Sequence, residues 1–206
     1  MKITKEARDL VLFMTFGDGY IQKNGNLKIR HSVKQKEYLE WKMKLLRKNG
    51  IHTSDIYYVD NNGYGAYEFY TYSYNFIKLI RKYLYTPNKN IAQIKQLNKF
   101  TPIGLYIWYL DDGGLSQLKN KDGSLRANTL MLNTMLNKDE NQIIINYFKE
   151  KWDIQFRQCK NHGKYRLECG TREARKFIKI LEPYIDEVEC LSYKFNVKPM
   201  SITHSE

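Results

Sequence analysis

Cysteine is scarce in this chain of 206 residues, with 3 in all, Cys159, Cys169 and Cys190. They form no CxxC pair, and no histidine stands at zinc-ligand spacing from them. A disulfide scaffold and a structural zinc site are therefore excluded, and the thiols read as small apolar core groups. Long apolar runs are missing too, so nothing has the length of a bilayer span. The first ten residues alternate charged and apolar side chains without the pattern of a secretory signal, so the expectation is a soluble intracellular protein with no membrane partner. Acidic residues are outnumbered: Asp plus Glu is 22 against 34 Lys plus Arg, a net charge of +12. That imbalance favours a polyanionic partner such as DNA, RNA or an acidic membrane surface. Hydrophobic residues make up 42%, enough for a real core in one large domain or two small ones.

What the chain does have is a repeat. Val11-Leu12-Phe13-Met14-Thr15-Phe16-Gly17-Asp18-Gly19 and Leu105-Tyr106-Ile107-Trp108-Tyr109-Leu110-Asp111-Asp112-Gly113 are two apolar runs that each end in acid then glycine. Asp18 and Asp112 hold the same place in the two copies, nearly half the chain apart. A repeat of this kind suggests a pseudo-twofold protein with two carboxylates at its axis.

The periodicity supports such a reading. Helices are predicted over 5–17, 35–49, 75–84, 103–112, 138–151 and 172–181. Strands are predicted over 20–22, 26–33, 55–59, 65–72, 115–118, 125–133, 154–160 and 164–168. Turn clusters join them at Lys23-Asn24-Gly25, Asp60-Asn61-Asn62-Gly63, Asn120-Lys121-Asp122-Gly123 and Asn161-His162-Gly163. Gly19 and Gly50 are read as helix stops, with Gly19 in the left-handed position. Each half is thus αββαββα in an α+β protein. The halves span 1–86 and 102–206 and are joined by a linker over 87–101 that contains Pro87.

A carboxylate at a helix C-terminus opposes the macrodipole, so Asp18, Asp111 and Asp112 call for cationic compensation. If the two repeated helices pack side by side, the acids converge and can share divalent metal. Here the residues resemble the signature motifs of the LAGLIDADG homing endonucleases, in the single-chain form with two motifs. Trp108 to Gly114 is close to the second motif, and Phe16-Gly17-Asp18-Gly19-Tyr20-Ile21 fits the first. The resemblance covers essentially the whole chain. One departure concerns the third motif position, usually small where the helices approach closely. Phe13 and Ile107 stand there, so the helices either cross further apart or pack large against small.

The resemblance implies two curved antiparallel sheets forming a DNA-binding saddle, and a double-strand break with 3′ overhangs at a long recognition site in double-stranded DNA. Asp18 and Asp112 would be the catalytic, metal-binding acids, with Mg²⁺ or Mn²⁺ as cofactor. Lys89 and Lys194 would be the lysines near the scissile phosphates. Asp111 would be a cap or supporting group, and Asn133 and Ser32 candidates to orient water. Base and phosphate contacts would come from the polar strand faces: Lys28, Arg30, Ser32, Arg126, Asn128, Gln155, Arg157, Lys164 and Arg166. None of His31, His52, His162 and His204 is given chemistry, and Tyr57, Tyr58, Tyr64, Tyr67, Tyr70, Tyr72 and Tyr74 are read mainly as packing between sheet and helix. The protein is expected to be a monomer.

Two rivals stand beside this. Tyr109-Leu110-Asp111-Asp112 resembles the Tyr-x-Asp-Asp of reverse transcriptases, but that motif needs a β-hairpin and here follows a long helical run. The other is an intron RNA maturase, or a non-cleaving DNA-binding protein of the same fold, with intron RNA as a possible partner.

Overall fold

The computed structural model describes residues 3–61, 63–85, 89–123 and 125–197. Pro87 of the expected linker and His204 lie outside them. The order is α1 (Lys5–Phe16), β1 (Tyr20–Ile21), β2 (Leu27–Ser32), α2 (Lys36–Lys48), β3 (Tyr57–Asn61), β4 (Tyr64–Tyr70), α3 (Asn75–Leu84), α4 (Ile94–Leu97), α5 (Pro102–Asp112), β5 (Gly113–Lys119), β6 (Leu125–Leu136), α6 (Lys138–Trp152), β7 (Arg157–Asn161), β8 (Lys164–Gly170) and α7 (Thr171–Leu181). The strands make two antiparallel four-stranded sheets, ordered β1-β2-β4-β3 and β5-β6-β8-β7. One topology has been used twice. No described helix is long and apolar enough to cross a membrane.

The turns form where the sequence placed them. Gly25, Gly63, Gly123 and Gly163 all have positive φ, as does Gly50 after α2. Gly19 does not, which corrects the helix-stop reading. It is needed for room: a Cβ there would lie 2.4 Å from the Met14 carbonyl oxygen, which accepts the Gly19 N–H.

α1 and α5 pack against each other at the centre of one continuous core. α1 is buried from Asp9 to Phe16 and α5 from Gly104 to Leu110. Their contact resolves the bulky third motif position. The Phe13 ring sits on Gly104, where a Cβ would lie 2.8 Å from the ring. At the other end Gly17 receives the side chain of Asp111, and a Cβ there would lie 2.2 Å from Asp111 Oδ2. The helices therefore pack large against small. Phe100 fills the flank, 4.6 Å from the Phe13 ring and 4.8 Å from Phe16.

Three features were not expected. α4 lies within the supposed linker, and 3-10 turns over Glu182–Glu187 and Glu189–Phe195 follow α7. The last of these is tied down from two sides. The Glu37 carboxylate accepts the N–H groups of Glu189 and Cys190, and Tyr109 Oη donates to the Lys194 carbonyl at 2.7 Å.

Candidate active site

Asp18 follows Gly17, the C-cap of α1, and Asp112 is the last residue of α5. The helix ends that carry them are compensated by the two lysines named from sequence. Lys89 Nζ donates to the Gly17 carbonyl at 2.9 Å, and Lys194 Nζ to the Leu110 carbonyl at 2.6 Å. Each ammonium thus satisfies a carbonyl left over at a helix C-terminus and opposes its partial charge. Loss of water around both ammonium groups lowers their pKa values, and the attraction of Asp18, Asp111 and Asp112 works against that.

Asp111 is more than a cap. Its side chain is fully buried, as is that of Lys42, whose ammonium lies 2.6 Å from Asp111 Oδ1. The same oxygen accepts from Tyr38 Oη at 2.9 Å, and Oδ2 accepts the Asp18 N–H at 3.1 Å. With both oxygens engaged, Asp111 is a neutralised anion that ties α5 to α2 and to the acid of the opposite motif. Removing one partner of such a pair strands a buried charge, which costs about 3–5 kcal/mol.

His31 is the residue that sequence reasoning passed over. It is 5% exposed and accepts from Lys42 Nζ through Nε2 at 3.1 Å. Burial, then the Lys42 charge, push its pKa down to about 3, so the ring is neutral. An accepting Nε2 leaves the proton on Nδ1, which faces Asp18 Oδ2 at 3.6 Å. A relay of contacts therefore runs Asp111–Lys42–His31–Asp18. Its only early signal was the placement of His31 on the apolar face of β2. Lys42 gave none.

Asp112 is differently placed. Withdrawal from water, then repulsion from Asp111 and Asp18, raise its carboxyl pKa to about 7. Asp18 is raised as well, first by desolvation and then by Asp111. No described residue donates a hydrogen bond to the Asp112 carboxylate. Asn133 Nδ2 donates to the Asp112 backbone carbonyl at 3.0 Å, and both line a groove with Gly17 and Lys89. A bulge in β6 opposite β8, with Met135 at positive φ, puts Asn133 there.

Crowded carboxyl groups, two of them with no ion pair to a lysine or arginine among the described residues, suit a divalent cation. Among the described residues, Asp18, His31 and Asp111 also offer ligand atoms within 4.8 Å of one another. Both Asp111 oxygens are already engaged and the His31 Nδ1 carries a proton, so Asp18 is the open carboxylate of the three.

The residues expected to contact nucleic acid divide. Lys28, Arg30 and Ser32 alternate along the outward face of β2. Arg157, Lys164 and Arg166 lie on β7 and β8, and Gln155 is exposed in the turn before β7. Asn128 is a correction. It is 1% exposed because it shares the inward register of Leu130 and Leu132, and its N–H donates to Thr171 Oγ1. Arg126 is exposed at the irregularity where β6 slips against β5. The tyrosine reading also needs correcting: Tyr57, Tyr58, Tyr64, Tyr70 and Tyr72 are exposed rather than packed. Of the thiols only Cys169 is fully buried.

The profile of the LAGLIDADG DNA endonuclease family matches residues 12–177. The chain is 26% identical over 199 residues to Protein RecA of Mycolicibacterium chitae, a match covering 89% of this chain and 45% of that protein. It thus spans about half the length of this curated relative. It is 25% identical over 205 residues to Probable intron-encoded endonuclease 1 of Wickerhamomyces canadensis, covering 95% of this chain and 87% of that one. Among solved structures it resembles the homing endonuclease I-WcaI bound to its DNA recognition sequence, with a TM-score of 0.74, 21% identity and coverage of 95% and 88%. A variant of I-DmoI in complex with its target DNA in the presence of Mn aligns with a TM-score of 0.53, 15% identity and coverage of 93% and 97%.

Proposed function

This chain belongs to the LAGLIDADG DNA endonuclease family, and from that premise we propose that it is a site-specific, metal-dependent endonuclease that breaks both strands of a long DNA site. The observation that carries the reading is the placing of Asp18 and Asp112 at paired ends of α1 and α5, where the Asp18 N–H bonds the Asp111 carboxylate, the Asp18 charge acts on Asp112, and each helix end is capped by a lysine.

In this reading Asp18 and Asp112 hold divalent metal, with Mg²⁺ the working ion. A divalent ion held by these two acids would supply an acidified water and a positive charge opposite the phosphate and the leaving 3′ oxygen. Lys89 and Lys194 each spend one N–H on a helix carbonyl and keep two donors for a phosphate oxygen. Asn133 lines the same groove, and its Nδ2 is spent on the Asp112 carbonyl, so its amide oxygen is the group it would offer to the attacking water. Asp111, Lys42 and His31 hold the first motif acid in place without touching substrate. The outward strand faces supply Lys28, Arg30, Ser32, Arg157, Lys164 and Arg166 to the DNA, with Gln155 and Arg126 at their margins.

Selection of cut products from a randomised DNA library with Mg²⁺ tests this. The expected outcome is one discrete site cut on both strands, with 3′ overhangs. Asp18→Asn or Asp112→Asn should reduce cutting at least 10³-fold while leaving binding within about threefold. Binding of an intron RNA with no DNA cleaved would favour the maturase reading.

A further inference from the structure

Each sheet carries one glutamate in the middle of its outward face, Glu68 on β4 and Glu168 on β8. A carboxylate on a surface meant for phosphates weakens binding unless it does something specific. Both are nearly buried, 3% and 7% exposed, and they are buried by cations. Glu68 Oε2 receives Arg30 Nε at 2.7 Å and Nη2 at 2.6 Å, while Oε1 receives Lys28 at 2.8 Å and Tyr57 Oη at 2.5 Å. Glu168 Oε1 receives Arg166 Nε at 2.8 Å and Nη2 at 2.7 Å, while Oε2 receives Arg157 Nη2 at 3.4 Å and Cys159 Sγ at 3.1 Å. Burial alone would push both acids up, yet these donors hold them below the ordinary carboxylate range.

The two clasps share a detail. One oxygen grips the Nε side of an arginine, so Nη1 and the second hydrogen of Nη2 are left at the far edge. That free edge is a fixed two-donor fork, the shape that pairs with N7 and O6 of guanine in the major groove. Both guanidinium groups remain partly exposed, with side chains 40% and 31% accessible. Clamping also removes the rotamer freedom an arginine would otherwise lose on binding, and it restrains the arginine from swinging to a phosphate. With both its oxygens already engaged, neither glutamate accepts from a base itself.

We infer that Glu68 and Glu168 are positioning residues for sequence discrimination, each aiming one arginine, Arg30 or Arg166, at a guanine in its own half of the DNA site. The inference rests on the endonuclease reading and adds which contacts set its specificity.

The test uses the full-length protein on its selected site and on every single-base variant of that site, at one fixed salt concentration. The wild type should prefer guanine roughly 10- to 100-fold at one position in each half. Glu68→Gln should cut that preference to about threefold or less at one position only, and Glu168→Gln should do so in the other half. Each variant should bind unrelated DNA more tightly and with a salt slope about 1 steeper, because a cation is released to phosphates. Arg30→Lys should lose the same guanine as Glu68→Gln without steepening the slope. Circular dichroism melts verify folding, and if one glutamate variant fails to fold the other decides alone. Unchanged profiles in both variants, or preference lost evenly along the site, would overturn the inference while leaving the endonuclease reading intact. A wild type that selects no DNA site overturns both.

Discussion

Asp112 is the residue whose chemistry is most exposed to test. Its folded-state pKa, near 7, lies above the ordinary 3.8. The native state therefore keeps this proton to higher pH than the unfolded chain does. Its contribution to stability is fully present below about pH 4 and is lost progressively until pH has risen through 7, amounting to on the order of 4 kcal/mol. Thermal melts from pH 5 to 8 in a chelator should show that loss in the wild type and a flatter curve in Asp112→Asn. Added Mg²⁺ should raise the wild-type melting temperature more at pH 8 than at pH 5, since it binds the ionised form. Equal shifts at both pH values would count against Asp112 as a metal ligand. A carboxylate at a helix C-terminus calls for a cation beside it; Asp18 and Asp112 could be named from the repeated motif, and Lys89 and Lys194 from the family resemblance. Lys42 and His31 could not. They reach the site from α2 and β2 only once the tertiary fold closes over Asp111, and no short-range pattern encodes that meeting.

At the level of elements, the α1–α5 contact has little room for error. Gly104→Ala puts a methyl group 2.8 Å from the Phe13 ring, and overpacking of this kind costs about 1–3 kcal/mol. Trimming the ring with Phe13→Leu should recover part of that loss, as read from urea midpoints of the single and double variants. If Gly104→Ala proves neutral, the helices are looser than the structure places them. The helices and hairpins themselves were largely readable, since period and turn glycines agree; α3 is predicted and found over the same residues, 75–84. The misreadings differ in cause. The face of Asn128 was misassigned although Leu130 and Leu132 two and four residues on mark it as inward. The 3-10 turns after α7 have no period to read, yet they deliver Lys194.

For the whole molecule, one core runs through both halves, so unfolding should be a single cooperative transition. Residues 1–86 expressed alone would leave the face of α1 that meets α5 open to water, at a cost of about 25 cal/mol per Å² of apolar surface. That fragment should show no cooperative melt as a monomer. A sharp transition in the isolated fragment would mean that the halves are independent domains.

The acid–lysine bond between Asp111 and Lys42 also makes the halves non-interchangeable. A homodimer of the second half would bring two Asp111 carboxylates together with no Lys42 to bond either. A homodimer of the first would set Gly17 against Gly17, leaving a hole beside two unanswered lysines. Anyone grafting either half onto a relative must carry Gly17, Tyr38, Lys42 and Asp111 across as a set.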